Sequence, residues 1–167
     1  MANHITGIDH MVVAVQDLET ARDVWQKLGF TITPRGRHRD MATGNYCIMF
    51  DARNYVELLG IVAPDQPDRG FASLVNQRGE GLIKLAFSTD DVQAAAAQLR
   101  NHGIDADGPV ELARPLELDG GEVEPQFRLV LLPSEAAPVI NGFICFHVTP
   151  ELTHQARWMD HENGVTG

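Results

Sequence analysis

Two segments of this chain share one plan. The first runs from Gly7 through Leu18 to Gly29 and Phe30, the second from Gly81 through Val92 to Gly103 and Ile104. A single offset aligns them without a gap and sets His10 on Lys84, Asp17 on Asp91, Ala21 on Ala95 and Gly29 on Gly103. A repeat constrains architecture before any other feature, because each copy is a supersecondary unit that buries its apolar face with its neighbour's help. The expectation is two similar modules side by side with a shared cavity.

In the first copy, residues 8–15 alternate and are rich in Val and Met, as a strand should be. Asp17 is placed to cap a helix, Leu18, Ala21, Trp25 and Leu28 recur at helical spacing, and Gly29 stops it. Residues 30–34 read as a short strand, 35–45 as a polar, glycine-punctuated loop, and 46–50 with 55–61 as a hairpin. Residues 63–80 are a connector with a short helix over 71–76. The second copy follows suit, with a strand over 82–88, a helix over 91–102, strands near 109–116, 126–132 and 139–148, and an acidic turn over 117–125. Each module is thus βαβββ. The fold expected is α+β: paired βαβββ modules over 1–62 and 81–150 form a cupped mixed β-sheet, a half-barrel, with helices on the outer face. Residues 151–167 are a polar tail with no apolar run to anchor it.

At 167 residues, 44% hydrophobic and 22% charged, the chain can bury an ordinary single-domain core. A formal net charge of −10 argues against a nucleic-acid partner, which needs a basic surface. The two cysteines, Cys47 and Cys145, lie in apolar runs without metal-ligand spacing and read as buried thiols in a reducing compartment. No segment reads as membrane-spanning or as a secretory signal, so the expectation is a cytoplasmic protein.

Strand alternation sorts side chains between the helix side and the cleft. Met11, Val13 and Val15 belong under the first helix, which turns His10, Val12 and Ala14 into the cleft. Tyr55, Glu57 and Leu59 share a face. Ile83, Leu85 and Phe87 belong under the second helix, leaving Lys84, Ala86 and Ser88 inward. Phe143, Cys145 and His147 share a face of the last strand. Glu57 and Lys84 are flanked by apolar residues, and a buried carboxylate needs a partner. A Glu57–Lys84 ion pair without chemistry is the plain structural alternative.

Ile8-Asp9-His10, the His38 to Gly44-Asn45 stretch, Tyr55-Val56-Glu57-Leu58, and His147-Val148-Thr149-Pro150-Glu151 with Trp158 and His161-Glu162-Asn163-Gly164, in that order, resemble the vicinal oxygen chelate superfamily, and within it the glyoxalase-like domain family. The resemblance implies a cleft where positions on the first, fourth, fifth and eighth strands hold one divalent metal ion (Zn, Fe, Mn, Ni or Mg). Here those positions carry His10, Glu57, Lys84 and either Cys145 or His147; the candidate ligand set is His10, Glu57 and His147. Lys84 departs from the pattern, since an ammonium has no lone pair to offer. A metal-free site is the alternative, with Lys84 holding an anionic group and Glu57 or His10 moving a proton. The resemblance also implies further chain after the final motif, and the expectation is that 151–167 begins a missing or partner-supplied module.

The leading functional reading is a lyase or isomerase acting on a small, oxygen-rich, anionic molecule, with Glu57, His10 and Lys84 catalytic. His38, Asn45 and Arg37 bind the substrate from a loop where Gly36 and Gly44 allow close approach. The alternative is a non-catalytic protein that sequesters a small molecule, as bleomycin-resistance proteins do. A homodimer is expected in either case.

Overall fold

Each copy of the repeat leaves its first strand at an aspartate that caps the following helix. Asp17 accepts from the Thr20 amide at 2.7 Å, and Asp91 accepts from the Gln93 and Ala94 amides at 3.0 Å each. The computed structural model describes residues 4–136 and 140–167. Its elements are β1 (Ile5–Ala14), α1 (Leu18–Lys27), β2 (Gly36–Arg37), β3 (Thr43–Met49), β4 (Tyr55–Ile61), α2 (Phe71–Arg78), β5 (Gly81–Thr89), α3 (Val92–Asn101), β6 (Asp107–Ala113), β7 (Leu116–Leu118), β8 (Gly121–Val123), β9 (Gln126–Leu131) and β10 (Asn141–His147). Three single-turn 3-10 segments complete them. Residue 139, where the last strand was expected to begin, lies outside the described residues.

The strands form one mixed sheet in the order β6-β9-β10-β5-β1-β4-β3-β2-β7-β8. The first module supplies β1-β4-β3-β2 and the second β5-β10-β9-β6, joined where β1 and β5 run antiparallel. β6 and β7 are neighbours in sequence yet stand toward opposite ends of this order. The sheet therefore curls until its two ends approach, and the two-residue link Arg114-Pro115 spans the gap. Arg37 N–H donates to Pro115 O at 3.0 Å, and Glu117 N–H to Arg35 O at 3.0 Å, which ties the β7–β8 hairpin to the first module. This is the α+β half-barrel, with one departure: the acidic turn over 117–125 is itself a hairpin that extends the first module's edge.

Other departures have local causes. Residues 30–34 are extended but form no ladder; Thr33 exchanges single bonds with Cys47, and Pro34 has no N–H to give. The loop read over 35–45 contains β2 and the start of β3. Gly36 and Gly44 give their close approach to the protein, not to a ligand: a Cβ on Gly36 would collide with Asn45, and one on Gly44 would sit 2.8 Å from Gly36 O. Val13 and Val15 pack under α1 as expected, with Leu18, Ile48 and Leu58, but Met11 is exposed. α3 covers the second module's later strands instead of β5, with Val92, Ala96, Leu99, Val130 and Ile144 in the core beneath it. Between them the outer β1/β5 seam stays open, so Ile8 (53%) and Leu82 (44%) are exposed. The tail is anchored: Trp158 packs with Met49 and Leu116, and buried His161 bonds the Thr31 amide and Met49 O. No helix among the described residues is long and apolar enough to cross a membrane.

Gly60 on β4 faces α1 so closely that a Cβ there would lie 2.9 Å from Leu18 Cβ. Gly60→Ala is expected to cost about 1–3 kcal/mol, the usual penalty of overpacking. A urea titration reads it as a lower midpoint at constant slope, and an unchanged midpoint would mean that α1 moves aside freely.

Candidate active site

The concave face of the sheet encloses a cleft of about 460 Å³. Two rows of paired residues cross its floor. Glu57, Val12, Lys84 and Asn141 form one, and Tyr55, His10, Ala86 and Phe143 the other. His10, Glu57 and Lys84 thus line one cavity although the chain scatters them.

Two breaks in the β1–β5 ladder decide which side chains join them. Between Ile8 and His10 the pairing skips Asp9, so β1 bulges there. A bulge re-aims the extra residue, and Asp9, which alternation alone would send to the helix side, turns in beside His10. A second irregularity, between Val12 and Val13, leaves Ile83 out of the pairing. Ile83 therefore lines the cleft together with Lys84 instead of packing under α3.

The buried polar groups form a chain. Arg114 Nη1 donates to Asn45 Oδ1 at 3.0 Å, and Asn45 Nδ2 donates to Glu57 Oε1. Glu57 Oε2 then faces His10 Nε2 across 3.6 Å. His10 Nδ1 lies 2.5 Å from Asp9 Oδ1, and Asp9 also holds His147 Nε2 at 3.2 Å. The stacked Tyr55 ring, 4.3 Å away, fixes the imidazole plane of His10. Every step is within hydrogen-bond reach except Glu57 to His10, and that gap opens on the cleft.

Burial alone would raise the Asp9 carboxyl, but the His10 and His147 donors hold it below its ordinary value of 3.8. Asp9 is therefore an acceptor. Asp9 thus sits between His10 Nδ1 and His147 Nε2, and the other ring nitrogen of His10, Nε2, is the one turned toward Glu57. His147 Nδ1 is buried without a hydrogen-bond partner among the described residues. Burial would also raise Glu57, yet nearby His10, His38 and Arg114 and the Asn45 amide bring it below its usual 4.5. His38 is pushed down by burial and bonds Thr43 Oγ1 through Nδ1 at 2.9 Å.

His10, Glu57, His38 and Lys84 line the cleft, and Asn45 stands directly behind Glu57. Three placements differ from expectation. Lys84 is exposed at the rim, and among the described residues no ion pair joins it to Glu57; β1, which runs between their two strands, keeps them apart. Arg37 is outside the cleft, bound to Glu122 at 2.6 Å. His147 lies beyond the cleft's end, packed by Phe127 and His154, so Cys145 takes the last-strand position facing the cavity.

Arg37 belongs to a ladder on the outer surface, Arg35 to Glu117, Arg37 to Glu122 and Arg39 to Glu124. Solvent-exposed pairs stabilise little, so Arg37→Ala should change stability by under about 1 kcal/mol and leave ligand binding unaltered. Loss of ligand binding in a melt-and-titration comparison would return Arg37 to the site. A larger open groove of about 810 Å³ adjoins this ladder, but carboxylates already engage its Arg22 and Arg35.

Asp9, His10 and Cys145 offer donor atoms within 4.8 Å of one another, a possible ligand cluster by spacing. Asp9 and His10 Nδ1 are joined to each other, and burial, with Asp9 nearby, pushes the Cys145 thiol well above its ordinary range. Of the expected ligands, His10 and Glu57 face each other at 3.6 Å through Nε2 and Oε2, and a ring held through its other nitrogen by a carboxylate is the form in which histidine holds a metal. An ammonium at Lys84 has no lone pair to add, and His147 turns to Asp9.

Arg114 was missed by sequence reasoning. It follows a strand in a register that periodicity does not mark, and it enters the cleft only because the curled sheet closes there.

The glyoxalase-like domain family matches residues 8–167. No curated protein sequence matches the chain. Among solved structures, methylmalonyl-CoA epimerase from Mycobacterium tuberculosis is 18% identical with a TM-score of 0.66, over 87% of this chain and 90% of that one. The Streptomyces coelicolor methylmalonyl-CoA epimerase in complex with 2-nitronate-propionyl-CoA is 21% identical, TM-score 0.64, over 84% and 94%. A hypothetical protein from Staphylococcus aureus reaches a TM-score of 0.71 at 16% identity over 92% of this chain, which spans 64% of its length. At such identities the likeness shows a common fold.

Proposed function

Since this chain belongs to the glyoxalase-like domain family, we propose that it is an isomerase- or lyase-type enzyme that moves a proton next to a carbonyl of a small anionic substrate in the cleft. One observation carries the reading: two buried groups able to hold a proton, Glu57 Oε2 and His10 Nε2, face each other at 3.6 Å across an opening to the cavity. Each can hold a proton, so the space between them suits a proton in transfer to or from a substrate.

In this reading Glu57 is the base. It is ionised at neutral pH, and Asn45, itself held by Arg114, orients it. His10 receives or returns the proton through Nε2, while Asp9 fixes its tautomer and supports the imidazolium that forms. His38 keeps Nε2 for the substrate oxygen that gains charge, and its depressed pKa makes it a neutral donor at pH 7. Lys84, solvated at the rim, draws an anionic molecule in without touching the chemistry. No step of this reading is routed through a metal ion. The epimerases that share the fold act in the same class of reaction, which agrees with the proposal.

The test is proton exchange. The purified chain in D2O should wash deuterium into carbon positions next to the carbonyl of 2-oxo acids and acyl thioesters, followed by proton NMR, and this should persist after chelator treatment. Ligand binding without exchange across such a panel would favour the sequestering alternative.

A further inference from the structure

The geometry points to Arg114 as the receptor for a substrate carboxylate, and to a substrate whose remaining body is apolar. This rests on the reading of the cleft as the working site, and it names what that site takes.

Arg114 is 6% exposed and lines the cleft. Its Nη1 is engaged twice, by Asn45 Oδ1 and by Cys47 Sγ, each at 3.0 Å. Among the described residues neither its buried Nε nor its Nη2 has a hydrogen-bond partner. A buried donor left unmade is costly, and native proteins seldom tolerate one without a reason. The unsatisfied groups are the Nε–Nη2 edge of the guanidinium. That edge is the fork that receives both oxygens of a carboxylate at once. The guanidinium is kept in place by its Nη1 bonds and by the Phe127 ring, 5.6 Å from Cζ, so the fork is already oriented, and a carboxylate completes it by displacing the groups that cover Nε.

Lys84 and Arg69 are the other cations lining the cleft, but both are exposed. An ion pair in water is worth little, whereas the same pair behind apolar walls is worth several times more. Arg114 is therefore the anchor, and Lys84 contributes steering.

The walls define the rest of the molecule. The cleft is polar on the first module's side, at His10, His38 and Glu57. On the second module's side the wall is apolar at Leu112, Phe127, Leu129, Leu131 and Phe143, with Lys84 and Asn141 exposed at its edge. Leu131 is 41% exposed at the mouth, so apolar surface continues to the rim. A polyhydroxylated substrate would leave its hydroxyls unpaired there. An alkyl or aryl carboxylate would satisfy the fork at one end and cover this wall with the other.

Calorimetric titration of the full chain with straight-chain monocarboxylates from butanoate to decanoate, and with the matching primary amides, tests this. Kd should fall by about fourfold per methylene until the wall is covered, and each amide should bind at least about tenfold more weakly than its acid, as loss of a charge-assisted fork requires. Arg114→Gln and Arg114→Lys should each erase that acid-over-amide preference; if one does not fold, the other decides. Amides that bind as well as acids, affinity that ignores chain length, or a preference retained without Arg114 would each overturn the assignment. Glu57→Gln separates this from the reaction. If carboxylates bind as inferred and the wild type shows no exchange, the proton-transfer reading fails alone; if exchange occurs on substrates without a carboxylate and acids bind no better than amides, the assignment of Arg114 fails alone.

Discussion

Glu57→Gln should lower the rate of deuterium exchange by about a hundredfold to ten-thousandfold, the usual contribution of a positioned base, with little change in the unfolding midpoint. Glutamine has the same shape, so Asn45 keeps an acceptor for its Nδ2, while the group that takes the proton is gone. The pH profile of the wild type carries the same signature. Glu57 lies below its ordinary 4.5 in the folded protein. Its basic form is therefore complete above pH 4.5 and is lost as pH falls through the folded value, so the acid limb of the rate profile belongs below 4.5. A Glu57→Gln enzyme within threefold of wild type, or an acid limb near neutrality, would remove Glu57 from the role of base.

Asp9→Asn should cost about 3 kcal/mol of stability at pH 7 and slow exchange as well. The wild-type carboxylate sits between two imidazole donors, His10 Nδ1 and His147 Nε2. An amide offers one oxygen to them and turns an N–H toward the other, so one buried donor meets a donor. The sign with pH follows from the depressed Asp9 carboxyl. Its stabilisation is fully present above the ordinary 3.8 and disappears as pH falls toward the folded value. Denaturant titrations of wild type and Asp9→Asn should differ most at neutral pH and converge in strong acid. A difference that stays constant from pH 7 down to pH 2 would show that Asp9 acts by shape alone.

Much of this site was legible in the chain. His10, Glu57 and Lys84 share a cavity because period-two alternation holds wherever a ladder is regular, and the β1–β4 pairing is regular through both His10 and Glu57. Asp17 and Asp91 are caps because the following amides need acceptors wherever the helices pack. Lys84 was harder to judge: alternation assigns it a side of the sheet but says nothing of depth, and the rim leaves it solvated. Arg37 was misplaced because a run of three arginines looks like an anion site until Glu117, Glu122 and Glu124 are found opposite it. His147 shares a face with Cys145, yet a face extends beyond the cavity it helps to line.

The amino-acid order by itself determined the two βαβββ units, their caps and the inward side of β4, since each follows from short-range periodicity and local hydrogen bonding. Only the folded chain decided that Asp9 turns inward, that Arg114 closes the cleft and that Cys145 rather than His147 faces it. Those outcomes depend on how distant strands pair and on where a curled sheet meets its own other edge. Such long-range geometry leaves no periodic mark on the residues that it places.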